Sequence, residues 1–265
     1  MAAWFDTPPG RYLLAWERAR FDQAVADLFG YHALQLGLPE LDALAANRMP
    51  HCWLSLPEWH DLPASEQSPR IALVTHAAAL PFPPNSIDLI VLPHTLEFSA
   101  DPHAVLREVE RVLVPEGRVV ISGFNPTSLW GLRQAWAHWW ARWGRRGQEH
   151  AGLFLPESGE FIGHWRLRDW LRLLNFEVET MHYGCYRPAV QTEKWLQRFS
   201  WMDGVGAKSW PFFGAVYFMV AVKRVRGMHV LGPSWQPRRA ASSPVAVAQR
   251  PSLRDQPQNQ QRNRV

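Results

Sequence analysis

The chain of 265 residues is poor in cysteine, in long apolar runs and in folded-region net charge, and each shortage excludes something. Its two cysteines, Cys52 and Cys185, are too far apart for a metal or redox motif. They are expected as buried thiols in a reducing compartment. The longest apolar run, Phe212 to Val222, has 11 residues, short of the ~20 needed to span a bilayer as a helix. Met1 to Asp6 shows no charged segment followed by an apolar core, so no signal peptide is expected and the expected location is cytoplasmic. No metal site is expected, because His51 and His60 have no partners at ligand spacing. The formal charge of +4 is concentrated late: residues 233–265 hold six arginines, no lysine and one acid. The preceding 232 residues carry 22 basic and 23 acidic side chains, a net of −1. Specific nucleic-acid binding is therefore not expected of the folded part.

What is present is a globular pattern, 47% hydrophobic and 20% charged. Apolar positions from Arg11 to Gly30 recur at helical spacing. Short strands are expected at His32–Gly37, Cys52–Leu56 and Arg70–Val74, and a buried central strand at Ile87–Leu92. Asp101-Pro102 opens a helix with Val105, Leu106, Val109, Val112 and Leu113 on its buried stripe. Pro115-Glu116-Gly117 predicts a type I turn before a strand at Arg118–Ser122. Asn125-Pro126 repeats the cap-then-proline signature before a tryptophan-rich helix to Trp143. Its stripe of Leu129, Leu132, Trp136, Trp139, Trp140 and Trp143 is expected in the core, with a lid or membrane-docking face as the second reading. A helix around Leu167–Leu174, a strand at Phe176–Met181, a short helix at Glu193–Trp201 and a last strand at Phe212–Val222 follow. From about Gly232 proline, glutamine, serine and arginine dominate, and disorder is expected. The expected division is a helical segment at 1–30, a domain at 31–231 with an insertion at 127–165, and a basic tail at 232–265.

The stretch Ala79-Leu80-Pro81-Phe82-Pro83-Pro84-Asn85-Ser86-Ile87-Asp88-Leu89-Ile90-Val91, followed by Leu106 to Ile121, resembles one family in the order and spacing of its elements. It is similar to the class I S-adenosylmethionine-dependent methyltransferases of the ubiquinone-biosynthesis-like type (type 11). The resemblance covers residues 31–125 and extends more loosely through Arg168–Val178. It implies an α/β Rossmann-like fold: a mostly parallel seven-stranded sheet, an antiparallel last strand, and helices on both faces. It also implies S-adenosyl-L-methionine as cofactor, bound at the carboxyl ends of the strands.

The site positions carried over by the resemblance are Gly37, His76, Ala77, Leu92, Pro93 and His94. Gln35 stands where the family has an aspartate, and Pro39 and Leu41 replace later glycines of its cofactor loop. His76 stands where the family's acid meets the adenine amino group, and a neutral imidazole can accept that hydrogen bond. Leu92, Pro93 and His94 line the mouth of the fourth strand. His94 and Glu97, three residues apart, are the candidates for a general-base pair, against the plainer reading of a capping or solvated pair. The resemblance implies methyl transfer to a small-molecule or lipid-like acceptor. The rival is a non-catalytic binding or regulatory protein on the same scaffold, and a third reading is weak peripheral membrane contact. No residue pattern speaks to oligomeric state.

Overall fold

A computed structural model describes residues 2–57, 71–143, 154–156 and 159–225. The basic tail expected from residue 232 lies outside the described residues. Seven strands form one sheet: β1 His32–Leu36, β2 His51–Leu56, β3 Ile71–Val74, β4 Ile87–Pro93, β5 Leu113–Phe124, β6 Phe176–Gly184 and β7 Val216–Lys223. Their spatial order is β3-β2-β1-β4-β5-β7-β6. β7 pairs antiparallel with both β5 and β6, and the other pairings are parallel. The helices are α1 Ala2–Phe5, α2 Pro8–Val25, α3 Pro102–Val112, α4 Leu129–Trp143, α5 His164–Leu173, α6 Glu193–Arg198 and α7 Trp201–Ser209, with a 3-10 turn at Pro211–Phe213.

The sheet is covered on both faces, as the unbroken apolar strands require. Along β4, Leu89 and Val91 face one core and Ile90 and Leu92 the other. The first core is closed by α1, α2 and the coil after β1, through Phe5, Leu13, Phe21, Leu38, Leu41 and Leu44. The second is closed by α3 and α5, through Val105, Leu106, Val109, Leu167 and Leu171. Parallel neighbours need a crossover, usually helical, yet residues 37–50 join β1 to β2 without a helix.

Local signals act where expected at α3, whose Asp101 carboxylate accepts from the Ala104 N–H at 2.9 Å. At α2 the start is earlier than the apolar pattern predicts. Thr7 caps it by accepting from the Gly10 N–H at 3.3 Å, Pro8 fills the first turn, and the helix ends at Val25. Gly30 lies beyond the helix, at the approach to β1. A Cβ there would stand 2.5 Å from the Asp88 side chain, whose Oδ2 accepts from the Tyr31 and His32 N–H groups at 2.9 Å. Asp88 thus ties the entrance of β1 to β4. Glu116 has φ 64°, which excludes the expected type I turn, since the third position of that turn needs a negative φ. The segment is an irregularity within β5, where the β4 register shifts between Ile87 and Leu89. Lys223, at the end of β7, donates to Asn85 Oδ1, Glu110 O and Leu113 O at 3.0, 2.6 and 2.8 Å. It satisfies the last carbonyls of α3 and closes the far end of the sheet.

Candidate active site at the carboxyl ends of the central strands

The strand order reverses at β1, which has β2 on one side and β4 on the other. The loops leaving β1 and β4 part there, and open α/β sheets bind ligands in such a crevice. Gly37 leaves β1 at φ 75° and Leu38 follows at φ 45°. The Gly37 N–H is spent on Ser55 O at 2.8 Å, continuing the pairing with β2.

Gln35 builds the rest of this loop. Its buried amide nitrogen reaches the carbonyls of Leu41, Leu38 and Gly37 at 2.6, 3.0 and 3.2 Å, and its oxygen accepts from the Ala43 N–H at 2.9 Å. An amide has two N–H groups for three carbonyls, so the two nearest dominate. A carboxylate could donate to none of them. The loop after Gly37 is therefore organised around a glutamine amide, while Leu38, Leu41 and Leu44 turn into the first core.

β4 ends in Leu92 and Pro93, both buried. His94 follows at φ 53°, a left-handed conformation costing a non-glycine residue about 1–2 kcal/mol. Its N–H bonds Ser122 O at 3.0 Å. Thr95 then donates its hydroxyl to Leu36 O, lacing this loop to the end of β1. Gly37 and His94 are thus brought to one place, and Thr95 is the link.

The His94 ring is held between two carboxylates. Nδ1 lies 2.8 Å from Glu97 Oε2, and Nε2 lies 3.0 Å from Glu17 Oε1, reaching across from α2. Side-chain exposure is 0% for His94 and Glu17 and 1% for Glu97. Glu97 Oε1 also accepts the Phe124 N–H. Glu17 approaches as an ion pair without hydrogen-bond alignment, and neither of its oxygens receives a hydrogen bond. The Phe124 and Phe5 rings stand 4.3 and 6.1 Å from the imidazole.

Burial alone would lower the His94 pKa, but the charge and proximity of Glu17, with the Glu97 hydrogen bond, lift it to about 10. Burial raises the Glu97 pKa, against the opposing pull of His94 and the Phe124 N–H. The ring is therefore held as an imidazolium between the two carboxyl groups. The expected pair of His94 and Glu97 is real, but it is sealed rather than solvated. Glu17 is the member that sequence reasoning missed. Its signal was legible: Leu13, Glu17, Phe21 and Val25 are spaced by four and all buried, so an acid stands in an otherwise apolar stripe.

His76 and Ala77 lie elsewhere, in the loop after edge strand β3. Two strand spacings separate β3 from β1, about 10 Å. His76 is exposed and accepts from the Ala78 N–H at 3.3 Å, while Ala77 packs beside the second core. Asn125 does not open α4. Its amide donates to Phe212 O and Gly214 O at 2.7 and 3.0 Å, and Ser128 caps the helix by accepting from the Gly131 N–H at 3.1 Å.

The expected burial of the α4 stripe is also reversed. Trp130 and Gln134 face inward, Trp130 donating to Arg187 O at 2.8 Å, whereas Leu129, Leu132, Trp136 and Trp139 are exposed. The side chains of Trp140 and Trp143 lie outside the described residues. An open groove of about 390 Å³ between Arg168, Arg172 and Arg224 lies at the start of β6, the opposite end of the sheet. Its Arg224 is already paired with Glu177 and Glu116.

The fit to a sulfonium cofactor is one of charge and space. Two carboxyl groups stand beside one imidazolium, and a Cβ on Gly37 would meet only Thr95 Oγ1, at 3.5 Å. No acid stands between His51 and Pro57, and Glu58 and Asp61 lie outside the described residues.

Comparison with known proteins agrees with this geometry. Residues 60–121 match the family model described as "Methyltransferase domain". The chain is 34% identical over 176 residues to the uncharacterized protein YafS of Escherichia coli, covering 66% of this chain and 65% of that one. It is 42% identical over 59 residues to a malonyl-[acyl-carrier protein] O-methyltransferase of Halorhodospira halophila, covering 22% of this chain and 20% of that one. The chain thus spans less than two thirds of the length of these relatives. A solved S-adenosylmethionine-dependent methyltransferase from Archaeoglobus fulgidus shares the fold with a TM-score of 0.54 at 16% identity, over 79% of this chain and 94% of that one. The sheet order and this solved structure show a class I methyltransferase fold, and residues 60–121 are similar to a methyltransferase domain.

Proposed function

We propose that the protein is an S-adenosylmethionine-dependent methyltransferase acting on a small, lipid-like acceptor, with its site between the loops after β1 and β4. The observation carrying this reading is the Thr95 bridge, which joins the Gly37 turn to the His94 loop at the sheet's switch point. The Gly37–Leu38 turn would present backbone to the cofactor, and Leu92, Pro93 and His94 would form the rear wall. When bound, the cofactor supplies a methyl group already activated on a sulfonium, so the protein has mainly to orient and to exclude water. Phe5 and Phe124 exclude water around His94. Glu17 and Glu97, buried beside the His94 ring, would hold that wall in place rather than touch the reacting atoms.

A relative named for a carrier-bound malonyl group supports an acyl or lipid-like class. His76 and Ala77 would reach only the adenine end.

One observation favours the rival, a binding protein without methyl transfer. The loop after Gly37 is wound on Gln35 with its leucines turned inward, a path unlike the family's glycine-rich one. Calorimetry separates the two. S-adenosylhomocysteine is expected to bind at micromolar affinity, and Gly37→Val to weaken it more than about tenfold. His76→Ala is expected to cost about fivefold, the worth of one neutral hydrogen bond. No heat and no thermal shift with millimolar ligand would overturn the methyltransferase reading.

A further inference from the structure

The segment between β6 and β7 forms a cap over the site end of the sheet. Gly184 and Phe124, the ends of β6 and β5, both pair with Val216. Phe212 O and Gly214 O are held by Asn125 directly after β5. From this cap Trp195, Trp201, Val205, Trp210, Phe212 and Phe213 are 41–58% exposed. Trp201, Val205 and Lys208 follow one another at spacings of four and three on α7, so they share one face. Isolated exposed apolar side chains are ordinary, whereas six within nineteen residues are not.

The charges of the same segment have one sign left over. Glu193 pairs with Arg11 at 3.9 Å and Asp203 with Arg187 at 2.9 Å. Among the described residues Lys194, Arg198 and Lys208 have no ion-pair partner, and Arg198 lies 5.7 Å from the centre of the Trp195 ring. Exposed tryptophan and phenylalanine flanked by unneutralised cations suit the boundary of an anionic bilayer, where rings enter the headgroup level and cations meet lipid phosphates.

We infer that the cap formed by α6, α7 and the Pro211–Phe213 turn docks the protein on an anionic membrane surface. That docking would present a lipid-like acceptor to the site beneath rests on the function proposed above; the docking itself does not.

Full-length protein is to be sedimented with phosphatidylglycerol/phosphatidylcholine vesicles and with phosphatidylcholine vesicles at low salt. Pelleting with the anionic vesicles alone is expected. The variant Trp201→Gln/Val205→Gln/Phe213→Ser is expected to lose more than about tenfold in apparent affinity. Lys194→Gln/Arg198→Gln/Lys208→Gln is expected to weaken binding and reduce its salt dependence. An unchanged melting temperature and retained S-adenosylhomocysteine binding would show that both variants are folded, and single Trp201→Gln replaces the first if it does not fold. Wild-type protein left in the supernatant overturns the inference. So does an aromatic variant that pellets like wild type, since the basic residues after 232 would then be the anchor. Loss of S-adenosylhomocysteine binding in wild type would sink the methyltransferase reading and leave the docking result standing.

Discussion

The two loops that meet at the switch point solve the same problem with opposite chemistry. The loop after β1 is organised by a neutral group: one glutamine amide satisfies carbonyls and an N–H within its own segment. The loop after β4 is ionic: His94 is placed in a left-handed conformation and clamped by Glu97 from its own loop and Glu17 from α2. A neutral network is satisfied locally and tolerates burial at little cost. A buried ionic cluster depends on each partner and is linked to pH.

The largest expected effect tests the neutral side. Gln35→Glu places a carboxylate against two or three carbonyls in a buried site, and should cost about 4 kcal/mol by urea unfolding. If it costs less than about 1 kcal/mol, the loop does not depend on the amide, and the contrast fails.

Next comes Glu97→Ala on the ionic side. It removes one of the two carboxylates from His94 and the acceptor of the Phe124 N–H, and should cost about 3 kcal/mol. An equally small loss for Glu97→Ala and for a surface control would mean that the cluster adds nothing to stability.

The smallest effect, and the sharpest, belongs to Glu17→Gln. It keeps the side chain's shape and removes a carboxyl group whose burial cost offsets most of its attraction to the ring, so stability should change by about 1 kcal/mol. The pH dependence should change clearly. The folded-state pKa of His94 is raised to about 10, so its stabilisation is full below the unfolded value of about 6.5 and is lost as pH rises toward 10. Glu97, also raised, moves stability in the same direction. Wild-type stability should therefore decline from pH 7 to 10, and Glu17→Gln should flatten that slope. NMR titration of the His94 ring should show its pKa falling in the variant; an unmoved pKa would mean that Glu17 does not hold the proton there.

The part of the fold legible in the sequence is the part with local causes. Asp101-Pro102 sets the start of α3, and the unbroken apolar run of β4 sets its central position, because capping and burial leave their mark within a few residues. The site was half legible for the same reason. His94 and Glu97 are near neighbours, whereas Glu17 reaches them from 77 positions away in the chain. Thr95 looks like any loop threonine until β1 is beside it. For α4 the periodicity defined a stripe but not which stripe faces the core. The side chain that goes in is Trp130, chosen by the carbonyl of Arg187 in a distant segment. The crossover after β1 carries no helical period and has no helix, and its order comes from Gln35, a residue whose role is invisible without the loop around it.

The insertion of β7 between β5 and β6 has a consequence for how the chain is made. Until residue 223 has been synthesised, β5 and β6 have no shared neighbour, and both stand as open edges during translation. The carbonyls of Glu110 and Leu113 likewise wait for Lys223, more than a hundred residues downstream. Completion of the sheet is thus a late, long-range event, and a ribosome that stalls before β7 leaves a nascent chain prone to aggregate through those edges.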